Sequence, residues 1–191
     1  MGILHRLVRW ARQFKAGESG VAAVEFALIL PIMLLLYAGM VEGSTLITID
    51  RKVQTVSGSV GDLVARSNGM ITSKSLGDYV KVASGIMTPY SDTELVQVVT
   101  QVFVDNNGKA TVDWSRPYVG QVAKTTGGRS KGSTYPLPAD VVAISRGQYL
   151  IVTECSLSYK PLFGFVFDQA INLYRENFFV PRFREQIKLD P

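Results

Sequence analysis

From Val21 to Val41 the chain reads VAAVEFALILPIMLLLYAGMV, 21 residues with a single charge, Glu25. At about 1.5 Å rise per residue, a helix of that length covers the roughly 30 Å hydrocarbon core of a bilayer. The run is apolar on every face, which fits a membrane span better than the core helix of a soluble protein. A cleaved secretory signal is the competing reading, but its apolar core is only about 7–15 residues long and is followed by an A-x-A-like site. This run is longer, and no good site follows it. Pro31 predicts a kink or a loosened turn near residues 27–31, because it lacks a backbone donor and crowds the preceding turn. Gly39 and Gly43 stand at GxxxG spacing, which either admits a second helix or reflects composition alone.

Past the span, Leu46, Ile49, Val53, Val56, Val60 and Leu63 recur at steps of 3, 4, 3, 4, 3. That stripe predicts an amphipathic continuation of the same helix to about Ala65, with its apolar seam on the protein's own sheet rather than in an intermolecular coiled coil. Gly58 and Gly61 weaken such a helix by about 1 kcal/mol each, which a close approach by a sheet or second helix would explain. Residues 74–87 predict a short helix presenting Leu76, Tyr79, Val80, Ala83 and Met87, stopped by Pro89. Glu94–Val104 predicts a strand, and Asp105-Asn106-Asn107-Gly108 a tight turn into Lys109–Trp114, together a β-hairpin. Thr125–Pro138, rich in Gly, Ser, Thr and Pro, predicts a surface loop, either mobile or in contact with a partner. Asp140–Ser145 predicts a helical turn, Gln148–Tyr159 a strand holding Cys155 as a packed apolar group, and Ile171–Phe183 a closing strand. Phe163, Phe165 and Phe167 precede that strand and would cap the core or face the membrane. The expected fold is α+β: a long N-terminal helix on an antiparallel sheet of about four strands.

Composition narrows the chemistry. The only His is His5 and the only Cys is Cys155, so Ser-His-Asp and Cys-His catalysis, His-ligated metal sites and internal disulfides are disfavoured. Asp105-Asn106-Asn107-Gly108 lacks the later bidentate Glu of a calcium-binding EF-hand, and Gly127 to Gly132 is followed by Ser133 rather than the Lys of a P-loop. No catalytic residue, metal or cofactor is expected, and the chain reads as a non-enzyme. The isoelectric point is about 9.2, but the basic excess is local. Residues 1–20 carry Arg6, Arg9, Arg12 and Lys15 against Glu18, and residues 21–191 carry 16 basic and 15 acidic side chains. A folded surface so nearly balanced lacks the basic stripe of a nucleic-acid binder. The basic cluster just before the span predicts a cytoplasmic N-terminus and an exported body from residue 43 to 191.

Glu25 is the anomaly of the span. A carboxylate at the bilayer centre costs about 2.5–3.5 kcal/mol, so it either snorkels to the headgroups or meets a cation. The segment Glu18-Ser19-Gly20-Val21-Ala22-Ala23-Val24-Glu25-Phe26 resembles the prepilin-peptidase site of type IV pilin-like proteins. The wider pattern adds Phe26-Ala27-Leu28-Ile29-Leu30-Pro31 and Gly39-x-x-Glu42-Gly43, and with it residues 17–45 resemble the TadE family, minor pilin-like proteins of tight-adherence (Flp, type IVc) pili.

The resemblance implies a pilin-like fold and cleavage between Gly20 and Val21, with Glu25 as the processing and assembly carboxylate. It places Phe26, Pro31, Gly39, Glu42 and Gly43 in helix packing. Phe26 stands where main pilins of such systems often carry Tyr, which suits a minor component, as does the length. The implied organisation is a basic leader at 1–20, a transmembrane helix at 21–42 and a periplasmic α+β domain at 43–191. The implied setting is the bacterial inner membrane, crossed once, with incorporation into an extracellular pilus. The implied partners are a prepilin peptidase, other pilin-like subunits and the inner-membrane assembly platform. A TadG-like scaffold, uncleaved and tethered to the secretion apparatus, shares the anchor pattern and is the alternative.

Overall fold

The structure, a computed structural model, describes residues 18–161, 164 and 169–190. Most of the basic leader, with His5, and Phe163, Phe165 and Phe167 lie outside the described residues. The chain divides into two compact units, Met1–Ser44 with Leu162–Asp168, and Thr45–Pro161 with Gln169–Pro191.

Helix α1 runs from Glu18 to Ala65, 48 residues with Pro31 inside. In the second unit its apolar stripe is the seam of the core. Ile49, Val53, Val56, Val60 and Val64 are buried, and each fully buried valine contributes about 1.5–3 kcal/mol. The seam follows the expected stripe as far as Val60 and then passes to Val64, with Leu63 only half-buried. A straight helix drifts about 20° per heptad from a 3.5-residue repeat, so the buried position slips by one residue over this length.

Strand β1 (Met70–Thr72) leads directly into helix α2 (Ser73–Ser84). The Thr72 hydroxyl accepts the Ser75 amide at 3.1 Å and so caps α2. A 3₁₀ turn, Gly85–Met87, ends this element. Leu76, Val80, Ala83 and Met87 are buried, and Tyr79 packs against the same cluster. Lys52 of α1 donates from Nζ to the Ile86 and Thr88 carbonyls at 2.7 and 2.9 Å. A cation thus meets the carbonyl end of the turn, where the backbone dipole favours it.

Strand β2 (Val96–Val104), β3 (Ala110–Val119), β4 (Val122–Ala123), helix α3 (Ala139–Ser145), β5 (Tyr149–Tyr159), β6 (Ile171–Phe179) and β7 (Lys188–Asp190) complete the order. An antiparallel sheet of order β4-β3-β2-β5-β6 forms the centre, and β1 pairs with β7 in a separate parallel ribbon. The sheet therefore has five strands rather than about four. Strand β4 has two residues and β1 and β7 three each, too short to leave a period in the sequence.

Alternation along β2 and β5 sends two sets of side chains to opposite faces. Val99, Ile151, Cys155 and Leu157 join the α1 seam. Val102, Val104, Leu150 and Val152 join a second cluster with Tyr135, Leu137 and Val142. On the helix side, Ser57 Oγ donates to the Thr153 carbonyl at 2.8 Å and Thr153 Oγ1 donates to the Ser57 carbonyl at 2.9 Å. Gly61 lies under the Phe179 ring, and a Cβ there would overlap that ring and come within 3.0 Å of Thr153 Oγ1. Gly61 is thus a site of close approach. Gly58 has nothing within 4 Å of a would-be Cβ.

Between β2 and β3, Asp105 accepts the amides of Asn107 and Lys109 at 2.9 and 2.8 Å. Gly108, at φ 88°, donates to the Asp105 carbonyl at 3.0 Å, the left-handed step that lets the hairpin close.

Candidate functional site

Every residue from 20 to 37 is exposed on α1. Leu28 and Tyr37, on different faces, are 67% and 68% exposed. The helix is long and apolar enough to cross a bilayer. An apolar cylinder without a polar face has no stable place in water, and lipid or other apolar helices are the surroundings that suit it.

Gly20, Val21 and Glu25 are held together by the helix itself. Val21 and Glu25 stand at i and i+4, neighbours on one face about one turn apart. Gly20 lies within the helix, with nothing within 4 Å of a would-be Cβ. A glycine here weakens the local helix by about 1 kcal/mol relative to alanine. Phe26 is exposed on the next turn. Pro31 is exposed too, and the helix is unbroken through it although Pro31 offers no amide to the Ala27 carbonyl.

Toward the end of this unit Gly39 and Gly43 are half-buried, and Gly43 has open space around a would-be Cβ. Glu42 between them is buried, and its Oε1 accepts the Gly164 amide at 3.1 Å. Gly164 sits at φ 64°, a left-handed conformation that suits glycine and aims its N–H at the carboxylate. Glu42 thereby ties the helix to a residue 122 positions later in the chain.

A second polar constellation lies on the sheet face away from α1. Glu154 on β5 and Glu176 on β6 are cross-strand partners. Arg129 grips Glu154 with two bonds, Nη2 to Oε1 at 2.6 Å and Nε to Oε2 at 3.2 Å. The Tyr174 hydroxyl donates to Glu154 Oε1 at 2.9 Å, and the Tyr135 hydroxyl to Glu176 Oε1 at 2.5 Å. The Arg129 guanidinium also stacks 4.4 Å from the centre of the Tyr135 ring. Burial first, and then the bonds to the carboxylates, push both tyrosines above their usual range. The bond to Glu154 raises Arg129 as well. All three groups therefore keep their protons at neutral pH, and the constellation fastens a loop. Mobility is one expectation for Thr125–Pro138; Arg129 and the buried Tyr135 pin it to the sheet instead.

These five groups come from positions 129, 135, 154, 174 and 176, and no local motif joins the loop residues to the strand residues. The one available signal is an Arg and a Tyr inside a loop rich in Gly, Ser, Thr and Pro. Burial pushes the Cys155 thiol up to about 12, so it stays protonated and packs as an apolar group. Among the described residues, no three His, Cys, Asp or Glu side chains are grouped to hold a metal ion.

The family described as TadE-like protein matches residues 20–57, the stretch holding Gly20, Glu25, Pro31 and Glu42. No curated protein and no solved structure gives a match. The match covers the exposed apolar helix and the first turns of the buried seam, and over residues 20–57 this chain is similar to TadE-like proteins.

Proposed function

We propose that the chain is a minor pilin-like subunit of a tight-adherence type IV pilus, cut by a prepilin peptidase after Gly20 and active in pilus assembly or initiation. Residues 21–42 cross the bacterial inner membrane once, the basic leader stays cytoplasmic, and residues 43–191 form a periplasmic, non-catalytic body. One observation carries this reading: Glu25 is the only carboxylate on the exposed apolar stretch of residues 20–37, one turn from Val21, within the TadE-like match.

Cleavage after Gly20 creates an α-ammonium group at Val21. Alone in lipid, that cation and the Glu25 carboxylate are each costly; brought together between subunits they neutralise one another and set the axial register. Glu25 of an incoming subunit takes the amine of its neighbour, and the apolar faces around it bury against adjacent helices. The partners are the peptidase, other pilin-like subunits and the inner-membrane assembly platform. Nucleic acid is not among them, because the basic excess belongs to the leader.

Mass spectrometry of the membrane-extracted protein tests this reading. A chain beginning at Val21 in cells with a prepilin peptidase, and at its original start in cells without one, is the expected result. A chain uncut in both overturns it and leaves the uncleaved scaffold.

A further inference from the structure

We propose that the outer edge of β3 is a docking groove for an extended acidic segment of a partner protein. That edge is covered only in pieces. Strand β4 pairs with Tyr118 and Val119. At the other end Val112 donates to the Ser133 carbonyl at 2.9 Å and accepts from Gly132 at 2.8 Å. The ladder's alternation decides what faces the gap between them. The Gly120 amide reaches Leu95 across the β2 side, whereas the Lys124 amide reaches the Pro117 carbonyl from outside. Residues two apart in a strand point the same way, so Ser115 turns its N–H and C=O outward with Pro117. Among the described residues the Ser115 backbone has no partner on that side.

A groove of about 570 Å³ surrounds this gap. Arg116, Lys124 and Arg129 line it, and no carboxylate does. Arg129 is engaged by Glu154. Arg116 and Lys124 are exposed and form no ion pair among the described residues. The loop wall rests directly on the strand, since a Cβ at Gly128 would come within 3.0 Å of Pro117 Cδ. With Arg129 and Tyr135 pinning that loop, the groove is built before any ligand arrives.

One open strand position, Ser115, and two unneutralised cations point to one chemistry. A polypeptide in extended conformation supplies backbone groups for Ser115, and its carboxylates reach Arg116 and Lys124. A phosphate or a polyanion would meet the cations and leave the strand edge unmatched. The groove lies entirely within the Thr45–Pro161 and Gln169–Pro191 unit. This proposal therefore stands whether or not the chain is cut at Gly20.

The test is fluorescence anisotropy on the full chain in detergent micelles with three labelled octapeptides: alternating Glu and Thr, the same with Gln for Glu, and the Glu–Thr peptide N-methylated at alternate amides. The Glu–Thr peptide is expected to bind saturably and both control peptides at least tenfold more weakly. Arg116→Ala and Lys124→Ala should each weaken binding about two- to fivefold, as exposed charge contacts do, and leave the melting temperature unchanged. Absence of saturable binding, equal binding of the N-methylated peptide, or full affinity when Arg116→Ala and Lys124→Ala are combined overturns the proposal. Equal binding of the N-methylated peptide would identify a general anion patch.

Discussion

Glu154 and Glu176 face each other across the β5–β6 ladder, and each carboxylate is satisfied from outside its own strand. Like charges set directly opposite in a sheet destabilise it. Here the pair is tolerated because Arg129 supplies a bidentate cation to one carboxylate and Tyr135 a hydroxyl to the other. The repulsion of two strand residues thus becomes the anchorage of a loop. That anchorage also forms one wall of the groove at β3, so a buried electrostatic detail shapes an exposed surface.

Arg129→Met should loosen this side of the body. It leaves Glu154, whose side chain is only 11% exposed, without its cation. Losing charge-assisted bonds costs about 1–3 kcal/mol, held toward the lower end by the partial exposure of Arg129. Circular dichroism melts should show a fall of about 3–8 °C. Adding Glu154→Gln should recover part of the loss, because the uncompensated charge is then gone. An unchanged melting temperature in Arg129→Met would show that the loop is held by other contacts.

The same network predicts weakening in alkali. Tyr135 and Tyr174 have folded pKa values raised above the ordinary phenol value of 10.0, by burial first and then by their carboxylate partners. In the unfolded chain both ionise near that value, so above about pH 10 the unfolded state binds fewer protons than the native one. Their contribution is complete below that pH and declines as pH rises through it. Urea midpoints should therefore drop above about pH 10, and Tyr135→Phe and Tyr174→Phe should each flatten the slope. Cys155, raised to about 12 from 9.0, adds a parallel loss that begins earlier, which makes Cys155→Ala the proper background.

Two glycines of α1, three residues apart, should respond to alanine with opposite signs. Gly58→Ala meets nothing within 4 Å and gains helix propensity, a stabilisation of about 0.5–1 kcal/mol. Gly61→Ala drives a methyl into the Phe179 ring and toward Thr153 Oγ1, an overpacking that costs about 1–3 kcal/mol. Phe179→Leu should relieve the second variant. Denaturant titration of the single and double variants checks the set, and equal effects at the two sites would remove the close approach from the account.

What the sequence could and could not disclose follows from how far apart the interacting residues lie. The α1 seam, α2, the β2–β3 hairpin and β5 each write a period of their own, so Ile49 to Val60, Leu76 to Met87 and Val96 to Val104 were readable locally. The passage of the seam to Val64 required the true helical twist. The β1–β7 ribbon joins Ile71 to Leu189, and three residues on each side carry no periodic signal. Gly61 could be read as a weak point in a helix, but only the placement of Phe179 shows what it admits. On the candidate site, Gly20 and Glu25 stand out in the sequence because six consecutive residues hold the spacing. The Arg129 network was not, since the sheet register alone brings Glu154 and Glu176 together.

If Glu25 acts by meeting an amine at a set place, its position on the helix matters as much as its charge. Glu25→Ala should leave membrane insertion intact, since it makes the apolar run more apolar, and should impair pilus assembly. Exchanging neighbours, Val24→Glu with Glu25→Val, keeps composition and hydropathy but turns the carboxylate by about 100° around the axis and away from Val21. That variant should insert and fail to assemble. Gly20→Arg, in contrast, should block cutting, because it enlarges the residue before the proposed scissile bond. Immunoblots of membrane fractions read insertion and cleavage, and sheared-pilus preparations read assembly. Normal pili in the exchanged variant would mean that a carboxylate anywhere on this turn suffices, and the paired-charge register would have to be given up.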